Sequence, residues 1–288
     1  MKTLSIFGNN YQEEYLEGLA ILFEELISHK FKIYVKRSFG EYLRDNSVPL
    51  SSGIDFVDDF PSDTECVLSI GGDGTFLRAS EWVGSSGVPI LGINTGHLGF
   101  LASYYLNEVD EIINVLLCDN GTRENRALLE VKCPGMPEDF IPYALNEVVI
   151  QRGANATMVS IHAEIDNHFL ADYLADGLVV STPTGSTAYN LSIGGPILQP
   201  TLRCFVISPI APHSLTMRPL VVAGDSQLKF SASSRSNAVR VSLDGRDFAM
   251  PCDGNYLEVT RAPYSVQVLR RPDASFSRIL RNKLLWGK

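Results

Sequence analysis

An aspartate stands among three glycines in the stretch SIGGDGTFLRA, residues 69–79. The apolar run before it predicts a buried strand, and TFLRASEWV after it predicts the start of a helix. Successive glycines let backbone N–H groups point into one concavity, and a helix N-terminus adds positive potential, so this turn suits phosphate. Because Asp73 repels an anion, its place there favours a base or a magnesium ligand. The structural alternative is a tight turn with Asp73 as the N-cap.

A second polar cluster, NTGHLGFL at residues 94–101, follows the next predicted strand. Because ligands bind at the carboxyl ends of parallel strands, Asn94, Thr95 and Gly96 are expected to line the same sheet edge as Asp73. Phe100 offers a flat surface to a base ring. His97 has no acidic or cysteine neighbour in sequence to orient it, which favours a structural role over catalysis.

Asn146 and Glu147 interrupt an otherwise apolar predicted strand, LNEVVIQRG at residues 145–153. Adjacent side chains of a strand point to opposite faces, so both face the core only if the backbone bends there. An amide beside a carboxylate suits the two hydroxyls of a ribose. The alternative is an edge strand with solvated polar residues.

The longest polar motif is DGLVVSTPTGSTAYNLSIGGPI, residues 176–197. Asp176 opens a predicted strand, a polar turn follows, and a short helix is predicted to begin near Ser186 or Thr187. Its length and the Gly-Gly-Pro that flanks it indicate the wall of a shaped pocket. The residues suited to a purine nucleotide are Thr187, Ala188, Tyr189 and Ser192.

The elements that carry these motifs change character near the middle of the chain. Up to about residue 120, strand-like runs such as residues 3–8, 32–36, 66–70 and 88–93 alternate with amphipathic helices, including one over residues 10–29, which predicts a parallel sheet. From about residue 125, period-2 strands take over, with Asp166-Asn167 and Asp244-Gly245 as hairpin turns. A closing helix is predicted after Pro272.

The composition of the chain limits the kinds of partner and the cellular environment that are expected for the protein. The 288 residues include 33 acidic and 24 basic side chains, a formal net charge of −9, so no overall field draws the protein to nucleic acid or anionic lipid. Five cysteines occur singly, which predicts reduced, buried thiols in a cytoplasmic protein. No leader and no apolar run of membrane-spanning length is recognised. A basic tail is interpreted as a solvated helix face rather than a nucleic-acid patch; it contains Arg270, Arg271, Arg278, Arg281, Lys283 and Lys288.

Taken together, the motifs closely resemble the ATP- or polyphosphate-dependent NAD kinase family. The matching blocks are GGDGTFLRA (71–79), NTGHLGFL (94–101), NEVVIQRG (146–153), DGLVVSTPTGSTAYNLSIGGPI (176–197), SPIAPHSLTMRPLVV (208–222) and DGR (244–246). Phosphofructokinases and lipid kinases are similar at GGDG, but the five further blocks, in order, are specific.

The resemblance implies a role for each matching residue. Asp73 is the implied general base for the 2′-hydroxyl of the adenosine ribose of NAD. The implied donor-phosphate residues are Gly71, Gly72, Gly74, Thr75 and Arg78. The implied NAD contacts are Asp73 and Gly74, Asn146 and Glu147 at the ribose, Phe100, Thr187, Ala188 and Ser192 at the adenosine, and Asp176 and Tyr189 along the rest of the dinucleotide.

The resemblance also implies an architecture and partners. An α/β domain with a Rossmann-like parallel sheet is expected over residues 1–124, an all-β NAD-binding domain over residues 125–271, and a helix over residues 272–288 that packs back on the first domain. Mg²⁺ or another divalent cation is expected to bridge the donor phosphates. The implied assembly is a homodimer or homotetramer.

Two other functions remain as alternatives. A related GGDG-type lipid kinase is disfavoured by the acidic balance and by the lack of a basic amphipathic face. A non-catalytic sensor of NAD(H) or NADP(H) is compatible with the composition, although Asp73 beside the glycines favours chemistry.

Overall fold

A computed structural model describes residues 2–10, 13–96, 99–153, 158–234, 238–252 and 254–285. It divides into two compact units, one formed by Met1–Asn125 together with Val266–Lys288 and the other by Arg126–Ser265. The boundaries predicted from the sequence fall after residues 124 and 271. The units change at Ser265 because the end of the last strand pairs with a strand of the first unit.

The first unit is built on a parallel sheet. Its strands are β1 (Thr3–Gly8), β2 (Lys32–Lys36), β3 (Ile54–Val57), β4 (Cys66–Ile70), β5 (Ile90–Asn94) and β6 (Tyr104–Tyr105). Their order is β3-β2-β1-β4-β5, with β6 also paired to β5, and every pairing is parallel. β4 and β5 are buried along their whole length, as expected for the middle of a parallel sheet.

Helices connect these strands. They are α1 (Leu16–Ser28), α2 (Arg37–Asp45), α3 (Asp73–Val83) and α4 (Val109–Cys118), with 3₁₀ turns at Glu13–Tyr15 and Gly84–Ser86. Leu19, Leu22 and Leu26 of α1 are fully buried, because their spacing places them on one helical face. The predicted βαβ alternation is confirmed.

The second unit consists of antiparallel strands, of which the first begins and the last ends in residues of the first unit. They are β7 (Thr122–Lys132), β8 (Tyr143–Ala144), β9 (Glu147–Arg152), β10 (Val159–Ile165), β11 (His168–Ala175), β12 (Gly177–Ser181), β13 (Cys204–Ile210), β14 (Leu220–Ala223), β15 (Leu228–Ser233), β16 (Ala238–Leu243), β17 (Arg246–Pro251) and β18 (Leu257–Arg270). One sheet has the order β14-β13-β12-β9-β16-β17, and the other contains β11-β10-β15-β18. A 3₁₀ turn at Gly185–Thr187 and the short helix α5 (Tyr189–Ser192) follow β12.

The core of the second unit draws side chains from both sheets. Ile150 and Val180 of the first sheet and Ile161 and Phe230 of the second belong to one buried cluster. Period-2 alternation produces this core, because every second side chain of a strand faces inward.

Both predicted hairpin turns are confirmed. Asp166 and Asn167 have φ values of +50° and +62°, and Asp244 and Gly245 have φ values of +48° and +84°. Positive φ at both central residues is the geometry that matches the twist of the flanking strands.

The chain ends in the first unit. Val268 and Leu269 of β18 pair in parallel with Ile90 and Leu91 of β5. Helix α6 (Phe276–Leu284) follows, and its Leu280 is buried. The predicted fold class, an α/β unit with a parallel sheet, an all-β unit and a C-terminal helix that packs on the first unit, is therefore confirmed.

Candidate functional site

The glycines of the turn at the end of β4 lie in two different kinds of environment. Gly71 has a φ of +145°, and a Cβ there would lie 2.4 Å from Oγ1 of the buried Thr75, so the fold itself requires glycine. Gly72 and Gly74 are exposed, and a Cβ at either would have no atom within 4 Å. Their bare backbone therefore leaves open space in front of the first turn of α3.

Asp73 is the first residue of α3, and Gly72 is the N-cap, so the alternative that Asp73 is an N-cap is wrong. Its carboxylate instead accepts hydrogen bonds from the backbone N–H groups of Phe100 at 2.8 Å and Leu101 at 3.1 Å. Gly99 makes this approach possible, because a Cβ there would lie 1.7 Å from Asp73 Oδ1. The helix start and the segment after β5 are thus joined through one half-buried carboxylate.

The remaining predicted residues of the first unit lie in different environments. The Lys283 ammonium lies 5.4 Å from the centre of the half-buried Phe100 ring. Asn94 is buried and turned to its own loop, because its side chain exchanges two hydrogen bonds with the Gly96 backbone. Arg78 lies exposed on α3. His97 lies outside the described residues.

In the second unit, Asn146 and Glu147 lie at the start of an internal strand. β9 pairs with β12 on one side and with β16 on the other, so the alternative of an edge strand is wrong. Asp244, in the turn after β16, accepts hydrogen bonds from the N–H groups of Leu145, Asn146 and Glu147 at 2.6, 2.9 and 3.0 Å. This carboxylate fixes the backbone of the Asn-Glu pair.

Glu147 and Asp244 carry neighbouring carboxyl groups that differ in their hydrogen-bond partners. Burial, followed by the charge of Asp244, raises the pKa of Glu147 to about 8. Its Oε2 has no hydrogen-bond partner among the described residues. Burial also raises the pKa of Asp244, but the amides of residues 145–147 favour its charged form. We therefore assign the proton to Glu147, which at neutral pH can donate a hydrogen bond.

The polar turn after β12 is held against the Asn-Glu pair by its own hydroxyls. Thr182 donates its N–H to the Asn146 carbonyl at 2.9 Å and its hydroxyl to the Leu145 carbonyl at 2.6 Å. The buried Asn190 amide donates to the Ser186 carbonyl at 3.3 Å and accepts from Ser208 Oγ at 2.7 Å. These contacts shape the loop that carries the predicted adenosine residues.

Tyr189 runs along the same face as Glu147. Its backbone N–H approaches the Glu147 carboxyl, and its hydroxyl accepts from Gln151 Nε2 at 3.3 Å. Thr187 and Ala188 are half-buried beside it, and Ser192 is exposed.

Asp176 lies at the opposite end of β12 from Glu147. It forms an ion pair with Arg152 at 2.8 Å. In the β9–β12 pairing, Gly177 lies opposite Gln151 and Ser181 opposite Glu147, so Asp176 is at the far end of β12, about 16 Å away along the strand.

Comparison with known proteins assigns the chain to a family. The model of the ATP-NAD kinase N-terminal domain matches residues 4–120, and that of the ATP-NAD kinase C-terminal domain matches residues 145–271. The chain belongs to the NAD kinase family. An NAD kinase of Bacteroides fragilis (ATCC 25285) is 41% identical over 98% of this chain and 97% of its own length. One of Porphyromonas gingivalis (W83) is 41% identical over 100% and 99%. The predicted family and kinase activity are confirmed.

Solved structures share the fold of this NAD kinase family member. The yeast NADH kinase complexed with NADH superimposes with a TM-score of 0.88 at 24% identity, over 100% of this chain and 89% of the yeast chain. An Archaeoglobus fulgidus NAD kinase in complex with ATP gives a TM-score of 0.72 at 21% identity, over 99% and 97%.

Two polar residues of the second unit, Asp244 and Asn190, hold backbone segments although the sequence assigns neither of them such a role. In the sequence, Asp244 belongs to a predicted hairpin turn and to the block DGR (244–246), and Asn190 belongs to the block of residues 176–197. The basic tail is not uniformly solvated: Arg270 is 2% exposed, so the interpretation as a solvated face is wrong for that residue, because it belongs to the end of β18 and not to the helix. Lys288 lies outside the described residues. A sequence signal for Asp244 is its place directly after the strand of residues 238–243.

Three observations concern metals, membranes and thiols. Across the described ranges, no three His, Cys, Asp or Glu side chains are placed to hold a metal ion together. Within the part of the chain that the structure describes, no helix is long and apolar enough to cross a membrane. Burial raises the pKa of the Cys66 thiol to about 12, whereas Cys118 is exposed at the end of α4, so the prediction of buried thiols is wrong there.

Proposed function

We propose that this enzyme transfers a phosphoryl group from ATP, another nucleoside triphosphate or polyphosphate to the 2′-hydroxyl of the adenosine ribose of NAD, forming NADP. The observation that carries the proposal is the Asp73 carboxylate at the start of α3, held by two amides beside glycines that open to solvent. A fixed carboxylate and bare amides are what a proton acceptor and an incoming phosphoryl group need.

Asp73 takes the proton from the attacking 2′-hydroxyl. A carboxylate offers about four lone-pair sites, so the two amide hydrogen bonds leave room to accept the hydroxyl. The oxygen then bonds to the transferred phosphorus, the bond to the donor's bridging oxygen breaks, and ADP leaves when ATP is the donor. The residues proposed to bind the donor phosphates are Gly71, Gly72, Gly74, Thr75 and Arg78.

NAD is bound by the residues that the resemblance assigns. Asn146 and Glu147 bind the ribose, and a protonated Glu147 donates to a ribose oxygen. The adenosine residues are Phe100, Thr187, Ala188 and Ser192, and those along the rest of the dinucleotide are Asp176 and Tyr189.

Mg²⁺ supplies charge neutralisation on the donor phosphates when it is bound. This cation is usually held by one or two carboxylates together with substrate phosphates, and the described residues contain no cluster of three His, Cys, Asp or Glu side chains that would form an all-protein site. We further propose a cytoplasmic enzyme that assembles as a homodimer or homotetramer. Singly placed cysteines support the first point, and the family resemblance supports the second.

The test is turnover with Mg²⁺, ATP and NAD, with NADP followed by an NADP-specific dehydrogenase. We expect Asp73→Asn to lower kcat roughly 10²-fold, the scale of a lost general base, with a much smaller change in NAD affinity. Asp55→Asn, an exposed aspartate of β3, is the matched control and keeps wild-type turnover. NAD binding without NADP formation from ATP or polyphosphate would indicate the sensor instead. Normal turnover of Asp73→Asn would place the base elsewhere.

A further inference from the structure

Arg270 is a buried cation that the proposed chemistry does not use. Its side chain is 3% exposed at the end of β18. The two Nη atoms donate to the Phe100 carbonyl at 2.8 Å, the Leu101 carbonyl at 3.1 Å and Ser103 Oγ at 3.2 Å. Nε donates to Glu124 Oε2 at 3.3 Å, which supplies a counter-charge. Four of the five N–H donors of the guanidinium are therefore engaged in these hydrogen bonds.

The same two residues are bound from the other side by Asp73. The Asp73 carboxylate accepts the N–H groups of Phe100 and Leu101, and the Arg270 guanidinium donates to their carbonyls. A two-residue backbone held at both its donors and its acceptors has little freedom to rotate or shift. Since Asp73 takes both of its backbone partners from this dipeptide, the position of Arg270 sets the position of the carboxylate.

We infer that Arg270 is a positioning residue that holds Asp73 in place through the Phe100–Leu101 backbone. The inference rests on the proposed function, in which Asp73 is the base. Arginine suits the task because its rigid, planar fork reaches two carbonyls at once, which the single ammonium of lysine does not reproduce. A displacement of about 1 Å of a catalytic group is enough to lower turnover strongly.

The first experiment measures the contact without activity. Amide hydrogen exchange in the segment 99–103 is compared in the wild type, Arg270→Met, Arg270→Lys and Arg278→Met. We expect faster exchange at the Phe100 and Leu101 amides in Arg270→Met, an intermediate effect in Arg270→Lys, and none in Arg278→Met. Arg278 is the matched control, because its side chain is 60% exposed and pairs with Asp273.

The second experiment measures turnover. We expect kcat of Arg270→Met to fall roughly 10-fold to 10²-fold, with a smaller change in KM for ATP and with partial rescue by Arg270→Lys. In an Asp73→Asn background, Arg270→Met should lower kcat no further, because both changes disable the same carboxylate. If Arg270→Met does not fold, Glu124→Gln replaces it in both experiments. This change keeps a hydrogen-bond acceptor for Arg270 Nε and removes the negative charge.

The outcomes separate this inference from the proposed function. If the exchange of the 99–103 amides is unchanged while thermal stability falls, Arg270 is merely structural and the inference is wrong. Additive losses in the Asp73→Asn background would also overturn it. If the wild type forms no NADP, the proposed function fails, and hydrogen exchange still decides whether Arg270 holds the segment that carries the Asp73 contact.

Discussion

Two aspartates of this chain bind consecutive backbone amides. Asp73 accepts two of them at residues 100 and 101, and Asp244 accepts three at residues 145–147. Hydrogen bonds to a charged acceptor are stronger than neutral ones and restrain the donors. At the scale of the residue, carboxylates in this protein therefore fix the position of backbone segments.

Glu147 gives a prediction about stability and pH. Its pKa of about 8 lies above that of an unfolded glutamate, so between about pH 4.3 and 8 the folded state binds more protons than the unfolded state. The contribution of Glu147 to the free energy of unfolding is therefore complete below about pH 4.3 and is lost as the pH rises towards 8. In the wild type, this loss lowers the free energy of unfolding between pH 5 and 9. We expect the decrease over that range to be smaller in Glu147→Gln, by an amount on the order of a few kcal/mol.

Urea denaturation at each pH measures this effect. Glu17→Gln, an exposed position in the first turn of α1, is the control and keeps the wild-type slope. Parallel pH profiles for Glu147→Gln and the wild type would show that Glu147 is ionised in the folded protein.

At the scale of the element, the first turn of α3 combines poor helix propensity with open backbone. Glycine within a helix costs about 0.5–1 kcal/mol relative to alanine. Gly74 is nevertheless the second residue of α3, and nothing in its surroundings excludes a methyl group. Bare backbone at this position is what the proposed binding of donor phosphates to the amides of this turn requires.

Gly74→Ala should therefore change stability and donor binding in opposite directions. We expect the free energy of unfolding to rise by about 0.5 kcal/mol, because alanine favours the helix. We expect KM for ATP to rise several-fold, because the methyl group occupies the space of the phosphates. Urea denaturation and steady-state kinetics measure the two effects.

Asn114→Ala provides the matched control for that experiment. Asn114 is exposed on α4, which carries none of the predicted site residues, and the change also raises helix propensity. It should stabilise the protein with an unchanged KM for ATP. An unchanged KM in Gly74→Ala as well would remove Gly74 from the donor site.

At the scale of the whole molecule, each unit has its own hydrophobic core. The cluster of the first unit includes Leu269 from the returning end of the chain. That of the second unit lies entirely between Leu129 and Val259. A separate core is the physical requirement for independent folding.

Fragments of the chain test this division. We expect residues 121–265 to fold alone with a cooperative transition, because they contain their complete core. Residues 1–125 should not, because without β18, Ile90 and Leu91 of β5 lose their pairing partners and the core lacks Leu269. Circular dichroism and thermal unfolding of the two fragments measure this, and a stably folded 1–125 fragment would contradict the expectation.

The local sequence pattern determined the strands of this protein, its glycine turn and its family. The alternation of apolar runs predicted the strands of both units, and the glycines around Asp73 indicated a turn suited to a ligand. Blocks of polar residues in a fixed order identified the family. These features depend on neighbours in sequence, which is why periodicity and turn chemistry report them.

Only the tertiary structure decided how these residues are held. Arg270 contacts the Phe100 carbonyl across 170 positions of sequence, and Asp244 contacts the Asn146 amide across 98. In the sequence, the first was one basic residue of a tail and the second was half of a hairpin turn. A hydrogen bond between distant residues leaves no periodic trace, because it depends on where the returning strand and the turn pack rather than on the residues beside them.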